Sequence, residues 1–274
     1  MAGARLIRED LSGAGVRGSG WGARGIDATL GIAGLPQSGT GQTALLSGRN
    51  APELLGRHFG PWVPTALRQM LAAESILQTL VASGHAVSFA NAYPTGYFKP
   101  GGRGFRRPGA LPLAAHAAGL LTRDEGSVRA GAALVSSITT DSWRRYVDPD
   151  APLLAPEDAG HRLARIGADS EFTLFAHYDT DHVGHRGTMA DAVAVIERVD
   201  AFLGGLFAAR TPETLVVVTS DHGNIEEIAA GHTLNPVPLL AVGPGCDELI
   251  DGAKDLCDLA PLIEAMLWKA PMPE

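Results

Sequence analysis

The segment Leu215–Asn224 constrains the fold of this chain more than any other stretch. It reads Leu-Val-Val-Val-Thr-Ser-Asp-His-Gly-Asn, and its apolar, mostly β-branched residues predict a buried strand. The polar residues and the glycine that follow end this strand, so Asp221 and His222 are expected at the mouth of a sheet. A carboxylate and an imidazole are ligands that a divalent transition metal accepts. The segment therefore predicts a metal-binding edge of a sheet.

Two further segments place metal-type ligands beside an apolar run. Asp181-His-Val-Gly-His185 follows the strand predicted over 172–176, and His232 precedes the strand predicted over 238–242. Asp181 and His185 are expected to point at one ion from a tight turn, and such ligands are typical of open α/β sheets. Mixed carboxylate and imidazole ligation favours Mn²⁺ or Zn²⁺, with Mg²⁺ also possible. Two ions can clamp the attacking and leaving oxygens of an in-line displacement.

The segment 27–48 predicts an extended stretch, a polar turn and a short helix that opens near Gly39. Ser38 is then at or next to a helix N-terminus, where free N–H groups and the helix dipole favour an anion. Its hydroxyl is a candidate nucleophile toward phosphorus if a metal lowers its pKa. The alternative is that Ser38 or Thr40 is only an N-cap. Because three metal-type segments follow downstream, we interpret Ser38, with Thr40 as second candidate, as catalytic.

The rest of the chain alternates helix and strand signals. Helices are predicted over 63–83, 190–210 and 256–267, a strand over 86–92, and irregular structure over 1–26. The buried stripe predicted for the helix over 190–210 comprises Ala192, Val193, Ile196, Val199, Leu203 and Leu206. This order predicts an α/β core made of residues 1–92 and 168–274. Residues 93–167 interrupt the rhythm and predict an inserted cap or lid.

A basic, glycine-rich loop lies inside this insertion. Arg103, Arg106 and Arg107 offer the paired donors that phosphate oxygens accept. They are candidates for substrate binding, and a solvated loop is the alternative.

Composition argues against several classes of protein. The formal net charge of −8 argues against nucleic-acid binding, which needs a basic face. An 18-residue apolar run and a signal peptide are both absent from the sequence, so neither a spanning helix nor export is expected. The two cysteines, Cys246 and Cys257, are too few for a disulfide framework. We expect a cytoplasmic protein, and the sequence does not indicate its oligomeric state.

Together these motifs resemble the alkaline phosphatase superfamily, and specifically its metalloenzyme branch with cofactor-independent phosphoglycerate mutase and phosphopentomutase. The likeness covers about residues 27–92 and 170–267 and rests on Gln37-Ser-Gly-Thr-Gly-Gln42, Asp181-x-Val-Gly-His185, Thr219-x-Asp-His-Gly-Asn224 and His232-Thr-x-Asn-Pro-Val-Pro238. It implies a three-layer α/β/α sandwich around a mostly parallel sheet, two Mn²⁺ or Zn²⁺ ions and a phospho-enzyme intermediate. By the same resemblance, Asp181, His185 and His232 hold one ion. Asp221, His222 and Ser38 hold the other.

The chain departs from the family at its beginning, because the family starts with an apolar strand that ends in a metal-binding aspartate. No stretch before Ser38 has that form. Either a preceding segment is missing, or another group replaces the aspartate, or activity is impaired, and we favour the first. The short insertion also lacks the recognisable substrate-binding residues of the mutases.

The expected function is a phosphomonoesterase or phosphomutase acting on a small phosphorylated substrate. Two alternatives stay open. One is a catalytically silent metal-binding relative, and the other is a hydrolase of sulfate esters or phosphodiesters.

Overall fold

The computed structural model describes residues 15–228 and 231–269, and it is an α/β structure. The strands are β1 (Val16–Gly18), β2 (Trp21–Ile26), β3 (Val87–Phe89), β4 (Phe172–Leu174), β5 (Val216–Thr219) and β6 (Val237–Val242). The helices are α1 (Ser38–Ser47), α2 (Ala51–Leu55), α3 (Thr65–Glu74), α4 (Ile76–Ala82), α5 (Arg103–Arg106), α6 (Ala110–Ala117), α7 (Glu125–Arg129), α8 (Asp141–Tyr146), α9 (Pro156–Ala168), α10 (Asp179–Arg186), α11 (Met189–Ala209), α12 (Cys246–Gly252) and α13 (Leu259–Lys269), with a 3-10 turn at Leu256–Asp258. Among these helices, none has both the length and the apolar composition needed to cross a bilayer.

The chain divides into two compact units. Within the described residues, the first unit extends to Leu67 and also contains Pro212–Gly223 and the residues from Thr233 onward. The second unit contains Arg68–Thr211 and Asn224–His232. Each unit has its own sheet.

The sheet of the first unit is antiparallel throughout. Its strand order is β1-β2-β6-β5, and β6 pairs in an antiparallel manner with β2 on one side and β5 on the other. The expected mostly parallel sheet is therefore not confirmed, because β3 and β4 of the second unit are the only strands of the described residues that pair in parallel. Strand β6 buries Val237 and Leu239 but exposes Pro238. This alternation is typical of an antiparallel strand with one covered face, whereas the prediction of a mostly parallel sheet came from the family resemblance.

The prediction of irregular structure near the N-terminus is wrong for residues 16–26, which form the hairpin β1–β2. The remaining part of that prediction, residues 1–14, lies outside the described residues. Glycines and arginines interrupt the apolar pattern of these strands, so the sequence shows no strand periodicity. Packing explains one of the glycines: a Cβ atom on Gly22 would lie 2.9 Å from Ile250 Cγ1.

Several predicted elements are present with adjusted boundaries. The helix predicted over 63–83 is divided into α3 and α4, because the Ser75 side chain caps a new helix by accepting a hydrogen bond from Gln78 N. The strand predicted over 86–92 is the shorter β3, and the helix predicted over 256–267 is a 3-10 turn followed by α13.

The long helix predicted over 190–210 is α11, and its buried face agrees in part with the predicted one. Ala192 and Leu206 are buried as predicted, and Val199 and Leu203 pack against a buried cluster. Val193 and Ile196 are instead exposed by 50% and 48%, while Val195 and Phe202 are buried. The difference follows from contact with α9, whose Ala159 shares that buried cluster with Phe202.

The contact between α9 and α11 depends on glycine and provides a stability test. A Cβ atom on Gly205 would lie 2.1 Å from Glu157 O, whereas one on Gly204 would meet nothing within 4 Å. We expect Gly205→Ala to lower the free energy of unfolding by about 1–3 kcal/mol through overpacking. Gly204→Ala should raise it by roughly 0.5–1 kcal/mol because alanine is the better helix former. Urea denaturation of both variants measures the difference, and equal effects would contradict the close crossing.

Candidate functional site

The N-terminal turn of α1 contains small residues because backbone atoms of the first unit approach it closely. Ser38 is the first residue of the helix. A Cβ atom on Gly39 would lie 2.2 Å from Trp62 O, and one on Gly41 would lie 2.6 Å from Asp221 O. The glycines of Ser-Gly-Thr-Gly therefore allow this turn to lie directly against the residues that follow β5.

The first unit brings three of the predicted ligands together. Ser38 Oγ lies 2.9 Å from His222 Nε2, and this nitrogen lies 3.6 Å from Asp221 Oδ2. Ser38 and His222 are buried, with 9% and 4% exposure. A hydroxyl, an imidazole and a carboxylate are chemically suitable ligands for Mn²⁺ or Zn²⁺. We call Ser38, Asp221 and His222 the serine half-site.

The second unit brings the other three predicted ligands together. Asp181 and His185 lie one turn apart on α10, so the prediction of a tight turn at this position is wrong. Residues at this spacing share a helix face. Asp181 Oδ1 lies 3.4 Å from His185 Nε2 and 3.5 Å from His232 Nε2. We call Asp181, His185 and His232 the histidine half-site.

The close approach of three ligand atoms indicates that the histidine half-site suits a cation. His185 Nε2 and His232 Nε2 are 3.0 Å apart. Both nitrogens also lie within 3.5 Å of the same carboxylate oxygen, Asp181 Oδ1. A divalent ion is compatible with all three groups at once, and this donor set fits the metal expected from the sequence.

Each half-site also contains a carboxamide that the sequence analysis missed. Gln42 Nε2 donates to Asp221 Oδ2 at 2.9 Å in the first unit. Asn224 Nδ2 donates to Asp181 Oδ1 at 2.6 Å in the second unit. The positions of these amides in the sequence could have indicated their role, because Gln42 is one helical turn after Ser38 and Asn224 follows the Asp-His-Gly motif.

The opposite face of α10 is anchored to α11 of the same unit. Arg198 donates to Asp179 Oδ2 at 2.9 Å. His177 Nδ1 donates to Ser136 O at 2.7 Å, and burial lowers the pKa of this histidine. The side chain of His182 is 73% exposed. The hydrogen bonds of Asp179 and His177 hold the beginning of α10 in place, and so they orient the helix that carries the metal-type ligands.

Thr40 differs from Ser38 in its surroundings. It is fully buried, and its Oγ1 accepts a hydrogen bond from Phe59 N at 3.1 Å. The same hydroxyl lies 3.3 Å from Gln37 O and 3.4 Å from Phe59 O, and either carbonyl can accept its one proton. These bonds connect α1 to the segment around Phe59 and give Thr40 a structural role.

The candidate substrate arginines and the cysteines lie on different parts of the chain. Arg103, Arg106 and Arg107 are exposed in the second unit, within α5 or just after it. In the first unit, Cys246 and Cys257 are free thiols. Burial raises the pKa of Cys257 to about 12.

Comparisons with known proteins agree with the motif analysis. Residues 163–267 match the model of the Metalloenzyme superfamily. The chain is 35% identical over 137 residues to a 2,3-bisphosphoglycerate-independent phosphoglycerate mutase of Cereibacter sphaeroides, covering 46% of this chain and 26% of that protein. Proteins of the same name from Thermomicrobium roseum and Natronomonas pharaonis are 38% and 37% identical over 117 and 140 residues, covering 38% and 44% of this chain and 22% and 28% of those proteins. The matches thus span about a quarter of these relatives, and they confirm the resemblance to the metalloenzyme branch.

Proposed function

We propose that this chain, with its match to the Metalloenzyme superfamily over residues 163–267, is a metal-dependent phosphotransfer enzyme that uses Ser38 as its nucleophile. The observation that carries the proposal is the position of Ser38 Oγ, 2.9 Å from His222 Nε2 and at the first residue of a helix. A hydroxyl in this position combines a metal-type ligand with the positive end of a helix dipole, which favours a phosphate group.

The proposed metal content is two divalent ions, with Mn²⁺ or Zn²⁺ preferred and Mg²⁺ acceptable. The serine half-site would hold one ion and the histidine half-site the other, as the family resemblance implies. When bound, the ions would neutralise negative charge on the transferring phosphoryl group. The support in this chain is the donor set of each half-site. Each set has three groups, and every ligand atom lies within 3.6 Å of another ligand atom of the same half-site.

The side chains of this protein would perform the first transfer as follows. Ser38 Oγ forms a bond to phosphorus and loses its proton, the ester P–O bond breaks, and the leaving alkoxide takes up one proton, which balances the proton that Ser38 loses. The N-terminus of α1 would orient the phosphoryl group through the backbone N–H groups of Ser38 and Gly39, since the N–H of Thr40 donates to Phe59 O at 2.9 Å. Water or a second hydroxyl then takes the phosphoryl group from Ser38. A phosphatase uses water and a phosphomutase uses a hydroxyl of the substrate.

The substrate we propose is a small phosphorylated molecule, with Arg103, Arg106 and Arg107 as contacts for its anionic groups. Their exposure in the second unit leaves their guanidinium donors accessible to phosphate oxygens. The cap formed by residues 93–167 and a cytoplasmic location stay predictions from the sequence.

The test is turnover together with metal stoichiometry. The full chain is stripped with chelator, titrated with Mn²⁺, Zn²⁺ or Mg²⁺, and assayed on an aryl phosphate, an aryl phosphodiester and an aryl sulfate. We expect two ions per chain and hydrolysis of the monoester. One ion without turnover would instead identify the silent relative, and faster cleavage of the sulfate or diester would change the substrate class.

A further inference from the structure

We infer that Asn224 and Gln42 are positioning residues, one in each unit, which orient the carboxylates of the two proposed metal half-sites. The inference deepens the proposed function and rests on it, since it concerns the ligands of the proposed ions. Neither residue is itself a proposed ligand.

Asn224 holds the oxygen of Asp181 that faces the imidazoles. Its Nδ2 donates to Asp181 Oδ1 at 2.6 Å, and the same oxygen is the one 3.4 Å from His185 Nε2 and 3.5 Å from His232 Nε2. Asn224 is 4% exposed, and its backbone N donates to Glu226 Oε2 at 2.7 Å. Both ends of Asn224 are thus fixed, so its amide restricts the rotation of the Asp181 carboxylate.

Gln42 has the same relation to Asp221. Its Nε2 donates to Asp221 Oδ2 at 2.9 Å, and this oxygen is the one 3.6 Å from His222 Nε2. Gln42 is one helical turn after Ser38 on α1. The helix that presents the proposed nucleophile therefore also fixes the carboxylate of its half-site.

A carboxamide is suited to this task because it is a neutral donor. A carboxylate oxygen has two lone pairs, so one can accept the amide hydrogen while the other faces the imidazole nitrogen. An arginine or lysine in the same place would neutralise the carboxylate and compete with the cation. Loss of an outer hydrogen-bond partner typically weakens metal affinity by about 10–100-fold.

A glycine supports the arrangement in the histidine half-site. A Cβ atom on Gly184 would lie 1.8 Å from Asn224 Oδ1. The glycine between Asp181 and His185 on α10 is therefore required for the approach of the amide. Gly184→Ala should displace Asn224 without changing any ligand, which gives a second and independent variant.

The experiment measures Mn²⁺ affinity by calorimetry on the full chain, with Asp181→Ala and Asp221→Ala used to assign each binding phase to its half-site. We expect Asn224→Leu, which keeps roughly the size, loses the donor and adds no charge, and Gly184→Ala to weaken the histidine half-site by about 10–100-fold. Gln42→Met should weaken the serine half-site by a similar factor. In each case the affinity of the other half-site should not change.

Matched controls are two amides that bind only backbone. Asn91 in the second unit is 1% exposed and exchanges two hydrogen bonds with Ala176, both 2.8 Å. Asn50 in the first unit donates to Leu30 O at 3.0 Å. We expect Asn91→Ala and Asn50→Ala to lower the melting temperature and to leave both Mn²⁺ affinities within twofold of wild type.

The outcomes separate this inference from the proposed function. Two ions on the wild-type chain with unchanged affinities in Asn224→Leu, Gly184→Ala and Gln42→Met would overturn the positioning role alone. Weakening equal to that of the Asn91 and Asn50 controls would also overturn it, because the effect would then be one of stability. A wild-type chain that binds no ion would overturn both.

Discussion

Ser38→Ala is expected to lower the rate of aryl phosphate hydrolysis by about 10³-fold or more, since removal of a nucleophile eliminates the covalent route. The fold should be unaffected, because alanine is the best helix former and Ser38 is the first residue of α1. Initial rates at saturating Mn²⁺ measure the loss. Mass spectrometry of the quenched wild-type enzyme should show a phosphoryl group on Ser38 that the variant lacks.

The control for this change lies at the other end of the same helix. Ser47 Oγ donates to Thr43 O at 2.7 Å, so Ser47→Ala removes a hydroxyl from α1 without affecting the proposed chemistry. It should retain wild-type turnover. Undiminished turnover in Ser38→Ala would exclude Ser38 as the nucleophile and leave Thr40 or direct attack by water.

The ligand groups were predictable because metal chemistry restricts residue type strongly. Asp221 and His222 follow β5 as predicted, since a run of β-branched residues bounded by polar residues and glycine indicates a strand end. The helical setting of Asp181 and His185 was missed. Their four-residue spacing fits a helix as well as a turn, and the glycine at position 184 argued against a helix on propensity alone. That glycine is present because Asn224 lies against it.

Strand direction and helix face were less predictable because both depend on partners far away in sequence. The pairing of β2 with β6 joins residues 21–26 to residues 237–242, and no local pattern near the N-terminus shows it. Similarly, α11 is amphipathic as predicted. Which of its residues are buried is determined by its crossing with α9, where Gly160 of α9 and Gly205 of α11 allow the two helices to approach closely. Local periodicity indicates that a helix forms, and the element packed against that helix determines which of its faces is buried.

Loss of one ligand from either half-site is expected to remove one ion and nearly all turnover. His232→Ala should remove the ion of the histidine half-site, and His222→Ala the ion of the serine half-site. The loss of affinity should exceed the roughly 10–100-fold cost of losing an outer hydrogen bond, because a direct ligand disappears. Metal analysis after desalting and aryl phosphate turnover measure the two effects. His161→Ala, at a side chain 51% exposed on α9, is the control and should keep both ions.

Stability measured with and without metal separates a ligand role of His232 from a structural one. In chelator, His232→Ala is expected to melt somewhat lower than wild type, because the variant removes a buried imidazole and its 3.0 Å hydrogen bond with His185. With free Mn²⁺ at 100 times its Kd, an ion that binds only the folded state adds about 2.7 kcal/mol. The wild-type protein should gain this stabilisation from the ion of the histidine half-site, and His232→Ala should not. Equal metal-induced stabilisation in both proteins would exclude His232 as a ligand, whereas a large loss of stability in chelator would assign it a structural role.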